Sequence, residues 1–550
     1  MQGKIYQQLR TAYDRDTKKI WVINVGDIKP QELPLTFIMA MAWDIEKVTP
    51  TSILDFFRTY ALREFGPEHA DEIASLLLGH DRLISLRRHE HIEPETFSIL
   101  HHDEANKIIA QYTSLEKDAS ALLDTIGDEY KGAFFQLVLH PIKASLINLS
   151  LRFSQAKNQL YGLQRRNSTN VLAQQVLDLF DADFTLSEEY HDSPWTGTKW
   201  NHIVRQPHYG YGKTWYDPSR DLITGLSFVQ QRQDSNPMAG YMGVAVEGHG
   251  GVRPGLINEE SCKMQPSSGT LLPGMTLPLL SPNGPQIRHF ELYSRGSKSL
   301  SWTATVDEKW IHLSRSAGTL FTKTADQRVD ITIDWSKAPA GFNDEIIIHV
   351  RSSRGDYEQV HLPVSNRHAP EDFHGFVESD GYVSIEAGAV PLTPEQQLSY
   401  ELHPFLGRTT SGAISLRGDG TRTTTAIPFL EYPVFLFTKT ETVTVTLHFT
   451  LALDTDPENL LKYYIGFDDE SVDSVRLLEE PVSRGDLPPG WSVAVMDGVW
   501  KRSHIFACRE VGAHRLRYRA LAKGVVLEKI ILDVGGVRES YLGPPVSRLV

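Results

Sequence analysis

Lys19-Ile-Trp-Val-Ile-Asn24-Val-Gly-Asp27 is a short apolar run that ends in Gly26 and Asp27. Runs of this length, closed by turn-forming residues, are typical of strands buried on both faces of a parallel sheet. Gln2 to Tyr13 reads as a helix before it, and Leu35 to Trp43 as a helix after Pro30 and Pro34. Residues 1–48 are therefore expected to form one helix–strand–helix unit. A closed barrel of such units needs about eight strands, so this stretch reads as the end of an incomplete (β/α)8 barrel. Its orphan strand would expose both edges and an apolar face, and the unit is expected to pack poorly alone.

Outward from that run the pattern changes. Residues 49–192 are helical almost throughout. Thr51 or Ser52 is expected to cap a first helix, Pro67 to open a second, Pro94 a third, Asp128 a fourth and Ser168 to cap a fifth. Pro141 should kink the fourth. Five helices with short connections form a bundle. Residues 193–285 are rich in Gly, Pro and aromatics, and read as irregular structure with a few strands and a linker near Pro266 to Pro285. Strand-length runs then recur at short spacing. They predict an immunoglobulin-like β-sandwich over 286–368 and a second sandwich over 369–550. The expected fold class is multidomain α + β: remnant of a (β/α) barrel, then an α-helical bundle, then two β-sandwich domains.

Composition narrows the partners. The chain has 550 residues, too many for one ordinary domain, and a formal net charge of −14. That balance argues against nucleic acid and acidic membrane surfaces. No apolar run reads as long enough to cross a bilayer, and Met1 to Arg10 shows no signal-peptide core. Two cysteines, Cys262 and Cys508, make no disulfide framework.

Chemistry-bearing residues fall in two places. Asn24 and Asp27 close the apolar run, and barrel active sites sit at the C-terminal ends of strands. They could bind a sugar hydroxyl or carboxylate, or equally close a turn and cap the next helix. Between Trp195 and Tyr216 lie six Trp or Tyr residues and two histidines. Trp200, His202, His208 and Tyr211 are candidates to line a cleft, although buried aromatics pinning a loop explain most of such a segment. Gly212-Lys213-Thr214 resembles the tail of a phosphate loop, but Pro207 stands where the first glycine belongs, so nucleotide binding is rejected. His89-Glu-His91 and His101-His102-Asp103 lack a spacing that puts two ligands on one helical face; they read as solvated helix ends, and no metal is expected. No pair among the 69 carboxylates stands out as a catalytic acid and base.

Several longer segments resemble glycoside hydrolase family 115. Ile20-Trp-Val-Ile-Asn-Val-Gly-Asp-Ile-Lys-Pro-Gln-Glu-Leu-Pro, followed by Ala42-Trp43-Asp44, is similar to the end of that family's catalytic barrel. Phe134-Phe135-Gln-Leu-Val-Leu-His-Pro141-Ile-Lys-Ala144-Ser resembles its helical domain. Lys199-Trp-Asn-His202 and Gln206-Pro-His208-Tyr-Gly-Tyr211 resemble its aromatic segment. Val526-Leu-Glu-Lys-Ile530 and Ser540-Tyr-Leu-Gly-Pro-Pro-Val-Ser547 resemble its C-terminal domain, and the order agrees. The resemblance implies a large extracellular enzyme that removes glucuronic acid, often 4-O-methylated, from glucuronoxylan or its oligosaccharides by single displacement with inversion. It implies no cofactor, and a homodimer as a common state. It carries over Asn24 and Asp27 as barrel-end residues, and His202 and His208 as cleft residues. The catalytic carboxylates belong to the barrel portion for which this chain has no positions, so the chain alone is expected to be inactive. The alternative is a noncatalytic carbohydrate-binding or dimerisation protein.

Overall fold

The computed structural model describes residues 1–212, 216–234, 240–250, 275–408, 411–417, 427–454, 458–483 and 485–550. Lys213 and Thr214, Cys262 with any pairing to Cys508, and the first part of the expected linker lie outside the described residues.

The helical half begins with α1 (Gln2–Asp14) and α2 (Glu32–Trp43). The run between them is not a strand. It has no regular secondary structure and is largely exposed, with Ile20 77%, Val22 82% and Ile28 65% exposed, while Trp21 is half-buried against the bundle core. A strand exists through its ladder partners, and among the described residues none pairs with this run. The flanking helices pack well nonetheless, burying Tyr6, Phe37 and Met41 in the bundle core.

The bundle holds α3 (Ile53–Phe65), α4 (Ala70–Ile84), α5 (Glu104–Thr125), α6 (Asp128–Phe134), α7 (His140–Leu163) and α8 (Thr169–His191). In α3, Ile53, Phe57, Tyr60 and Ala61 recur at helical spacing and are all buried. Neither Ser52 nor Ser168 caps a helix with its side chain. The Ser52 hydroxyl donates to the Thr49 carbonyl, and the Ser168 hydroxyl donates to Asp326 at 2.9 Å. α5 starts ten residues after Pro94, because a turn around Ser98 intervenes. α6 and α7 are joined by a π-helical turn, Phe135–Leu139, just before Pro141. The wider turn sits where proline removes an N–H and crowds the preceding turn. Contrary to the reading above, the helix Asp128–Leu163 is long and apolar enough to cross a membrane by length and composition. Its most apolar window is 56% buried inside the protein, which is how the central helix of a bundle is used.

The strands form two pairs of sheets. The first pair comprises β1 (Met242–Val246), β3 (Arg288–Ser294), β7 (Gln327–Ile333) and β5 (Ile311–Leu313), facing β2 (Met275–Thr276), β9 (Tyr357–Ser365), β8 (Asn343–Ser352), β4 (Leu300–Thr305) and β6 (Ala317–Leu320). Phe290, Val329, Trp302 and Ile348 meet in their shared core. β1 precedes residue 286, so this unit draws on the segment read as irregular.

The second pair has β10 (Phe376–Val377), β14 (Leu430–Leu436), β19 (Gly512–Ala520), β16 (Lys462–Phe467) and β17 (Glu470–Arg476) in one sheet. The other contains β12 (Tyr400–His403), β13 (Ala413–Leu416), β20 (Leu527–Asp533), β15 (Thr442–Thr450) and β18 (Val499–Ala507), with β11 (Tyr382–Glu386) also paired to β20. Val383, Tyr432, Leu447 and Tyr518 share its core. The whole is a multidomain α + β chain. α1 seats directly on the terminal unit: a Cβ on Gly3 would stand 2.1 Å from the Phe405 carbonyl oxygen, so only glycine allows that approach.

Candidate functional site

The one place where the expected residues converge is the exposed edge where the segment after Gly26 meets the loop after α8. The Val204 N–H donates to Asp27 Oδ2 at 3.0 Å. Val204 has φ 57° and His202 φ 70°, both in the left-handed region. For a β-branched residue that conformation costs about 1–3 kcal/mol and persists only when the surroundings impose it. His191, at the end of α8, supplies part of that constraint: its Nε2–H donates to the Ile203 carbonyl at 2.7 Å. The turn thus aims a backbone donor at Asp27.

Trp200 precedes this turn. Lys29 Nζ stands 5.2 Å from its ring centroid and Lys199 Nζ 4.7 Å, both within cation–π range. Lys29 also pairs with Glu32 at 2.5 Å, and Glu32 accepts from Gln136 Nε2 at 3.1 Å. The floor beneath is aromatic and uncharged. The rings of Tyr190 and His140 lie 4.6 Å apart. Burial, with Glu32 next, pushes the Tyr190 phenol up to about 12. Burial, followed by His208 and His191, pushes His140 down to about 3, so it is neutral at physiological pH. Such a site offers an exposed carboxylate with one oxygen held, an ammonium group, an indole face and the exposed His202 side chain. Those groups suit a hydroxylated, carboxylate-bearing ligand.

The other candidates are placed differently. Asn24 stands in solvent and, like Asp27, lies in irregular backbone rather than at a strand end. His208 is tied back to α8, its Nδ1 2.7 Å from Asp183 Oδ2. The Tyr211 hydroxyl donates to Asp217 at 2.9 Å, and burial together with that bond pushes the phenol up to about 12. Both serve to pin the loop. Lys29, Glu32, Gln136, Tyr190 and His191 escaped sequence reading. Their roles depend on pairings such as Gln136 to Glu32, 104 residues apart, which leave no local pattern. Among the described residues no group of His, Cys, Asp or Glu is placed to hold a metal ion. His91 and His102 are not solvated helix ends: both are buried, His102 with its ring 6.0 Å from Tyr382 where the bundle meets the terminal unit.

Two family models match the chain. Residues 1–91 match the model described as glycosyl hydrolase family 115, and residues 375–546 match the glycosyl hydrolase family 115 C-terminal domain. No curated protein matches. Among solved structures, "A novel family GH115 4-O-Methyl-alpha-glucuronidase, BtGH115A, with specificity for decorated arabinogalactans" is similar over 97% of this chain, at 15% identity and a TM-score of 0.52. The match covers 48% of that protein, so the present chain spans about half its length. Tripeptidyl peptidase 2 is similar over 54% of this chain and 20% of its own, at 7% identity and a TM-score of 0.17. The secreted serine protease VesC from Vibrio cholerae is similar over 46% of this chain and 48% of its own, at 7% identity and a TM-score of 0.13. The last two likenesses are too weak to bear on function.

Proposed function

We propose, from the match of residues 1–91 and 375–546 to glycoside hydrolase family 115, that the chain forms the bundle and β-sheet portion of an inverting α-(4-O-methyl)glucuronidase acting on glucuronoxylan outside the cell. In this reading the catalytic acid and base lie on barrel strands that this chain does not contain. The exposed run Lys19–Asp27 is the last of those strands, ordered when its neighbours are present. The two sheet pairs are an immunoglobulin-like sandwich and a family-specific terminal sandwich, and two copies associate as a homodimer.

The observation that carries the reading is the Asp27–Val204 contact beside Trp200 and Lys29. It joins the segment matched by the family model to the loop after α8, on an open edge. Asp27 keeps Oδ1 for a sugar hydroxyl, while the Val204 N–H fixes Oδ2. Lys29 supplies a charge for a uronate carboxylate, and the indole flanks the C–H face of the ring. These groups bind and orient substrate rather than cleave it.

The test uses the purified 550-residue protein with uronic-acid-decorated xylo-oligosaccharides, measuring free uronic acid by chromatography. No release is expected; measurable release would overturn the placement of the acid and base outside this chain. When the chain is joined to a complete barrel, release is expected, and Asp27→Ala should lower kcat/KM by about 10- to 100-fold, the loss of a hydrogen bond to a charged group.

A further inference from the structure

Where the bundle meets the terminal unit, the two leave an open crevice of about 240 Å³. Residues of α4 and α5 line one wall, and β20 with residues 407–408 and 542–546 line the other. Four cations face it: Arg82, Lys107, Arg408 and Lys529. Two carboxylates do, Glu104 and Glu386, and both are buried.

Buried cations are ordinarily paired with a carboxylate. Lys529 is 5% exposed, yet its ammonium donates to the Leu542 and Pro544 carbonyls, at 3.1 and 2.6 Å. Half-buried Arg408 donates to the carbonyls of Tyr541 at 2.6 Å and Asp497 at 2.7 Å. Lys107, exposed on α5, donates to the His102 carbonyl at 2.8 Å. Among the described residues, none of these three cations forms an ion pair. Carbonyls hold the groups in place without cancelling their charge, and each group has more N–H donors than these bonds use. The carboxylates are committed elsewhere. Glu104 accepts the backbone N–H groups of Ser98, Tyr541 and Leu542, and Glu386 accepts that of Ser411 at 2.8 Å.

Neighbouring groups register the excess. Burial pushes Lys529 down to about 8 against the pull of Glu386, with Arg408 adding to the fall. Burial, then His101 and the cations Arg288, Lys107 and Lys529, pushes His102 down to about 3. The chain as a whole carries a formal charge of −14, so this positive field is local to the crevice. The remaining lining is largely apolar, with Leu83, Leu86, Ile108 and Val546. The volume admits a fragment-sized ligand rather than a sugar chain. Uncompensated positive charge beside an apolar wall matches a carboxylate head on a compact apolar body.

We propose that this crevice binds a small organic carboxylate with an apolar body, its head on Arg408, Lys529 and Lys107 and its body against Leu83, Leu86 and Val546. The site is separate from the edge around Asp27 and does not depend on the glucuronidase reading. Isothermal titration calorimetry of the 550-residue protein with benzoate, benzamide and glucuronate tests it. Benzoate should bind with a dissociation constant of about 1 mM or tighter, the range open to an anion of that size. Benzamide, similar in shape but uncharged, and glucuronate, whose body is polar, should each bind about tenfold more weakly or worse. Val546→Asp sets a carboxylate at a lining residue that is 44% exposed, and should weaken benzoate by about tenfold. Lys107→Ala removes an exposed cation and should weaken it by about threefold. Thermal unfolding of each variant checks that the fold is intact. No binding of benzoate, binding of benzamide or glucuronate as tight as that of benzoate, or benzoate binding unchanged by both substitutions would overturn the proposal.

Discussion

Asp27 and Asp183 hold the loop after α8 at two points and by different means. Asp27 takes one backbone N–H on an open surface. Asp183, with its side chain 10% exposed, grips the His208 imidazole at 2.7 Å. That hydrogen bond raises the His208 pKa above its ordinary value. The pair therefore contributes stability that is fully present below about pH 6.5 and is lost as pH rises through the higher folded-state pKa. Asp183→Asn should lower the thermal midpoint more at about pH 5.5 than at about pH 8.5, with a difference of about 1.5–3 kcal/mol for a lost charge-assisted bond. Equal losses at both pH values would show that the carboxylate charge does not matter there. Asp27 was legible as a candidate because a polar residue closes an apolar run. His208 and Tyr211 were legible only as members of an aromatic-rich segment, which does not separate a cleft residue from a loop pin. The left-handed backbone at Val204 left no trace, since valine is among the residues least suited to it.

At the scale of elements, the bundle read well because α3 to α8 carry apolar residues at helical spacing, and that signal is local. A strand is legible where burial on both faces makes the run apolar, as in β20, and the signal misleads in two opposite ways. β18, Val499–Ala507, carries Lys501, Arg502 and Ser503, and its exposed positions alternate with half-buried ones along an edge that pairs with β15 alone. Charged residues on an edge strand block further pairing, and they also mask the strand in the sequence. β14 continues back through Pro433, which pairs with Arg515. Its other neighbour, β10, pairs only Val434 and Phe435. The opposite failure is Lys19–Asp27, apolar enough for a buried strand yet irregular and exposed. Composition reports what a segment would bury, whereas the ladder depends on partners elsewhere. If the run is unpacked in this chain, Ile20→Ser combined with Val22→Ser should move the thermal midpoint by no more than about 0.5 kcal/mol per site and reduce light scattering from aggregates. Phe37→Ala, fully buried between α2 and the bundle, should cost about 3–5 kcal/mol in the same measurement. A comparable loss from the double substitution would place the run in the core.

Across the whole molecule, the bundle and the two sheet pairs are fastened in a closed circuit by polar contacts buried at each junction. Arg166, in the loop between α7 and α8, binds Glu291 on β3 at 2.6 Å and Asp326 at 2.8 Å. Its guanidinium also lies 3.6 Å from the Tyr161 ring centroid and 4.4 Å from that of Tyr293. Arg288, also on β3, reaches Glu247 at 2.9 Å and Asp380, just before β11, at 3.2 Å, joining the first sheet pair to the second. The circuit closes where Glu104 of α5 accepts the N–H groups of Tyr541 and Leu542 at 3.1 and 2.7 Å. None of these pairings is visible in sequence, because the partners stand dozens to hundreds of residues apart and charged residues are ordinarily read as surface. Each junction sets a desolvation cost against close, multiply bonded geometry, so losing one member leaves its partners buried and unpaired. A circuit also differs from a string: each body is held by two junctions, and opening one weakens the coupling around the whole. Arg166→Met keeps the aliphatic stem of the side chain while removing the guanidinium and stranding Glu291 and Asp326. It should destabilise by about 3–5 kcal/mol and, in scanning calorimetry, separate a low-temperature transition of the first sheet pair from the rest. Adding Glu291→Gln and Asp326→Asn should recover much of the loss, since the cost lies in the uncompensated charges. A single transition at an unchanged midpoint in the Arg166→Met protein would mean that apolar contacts alone hold this junction.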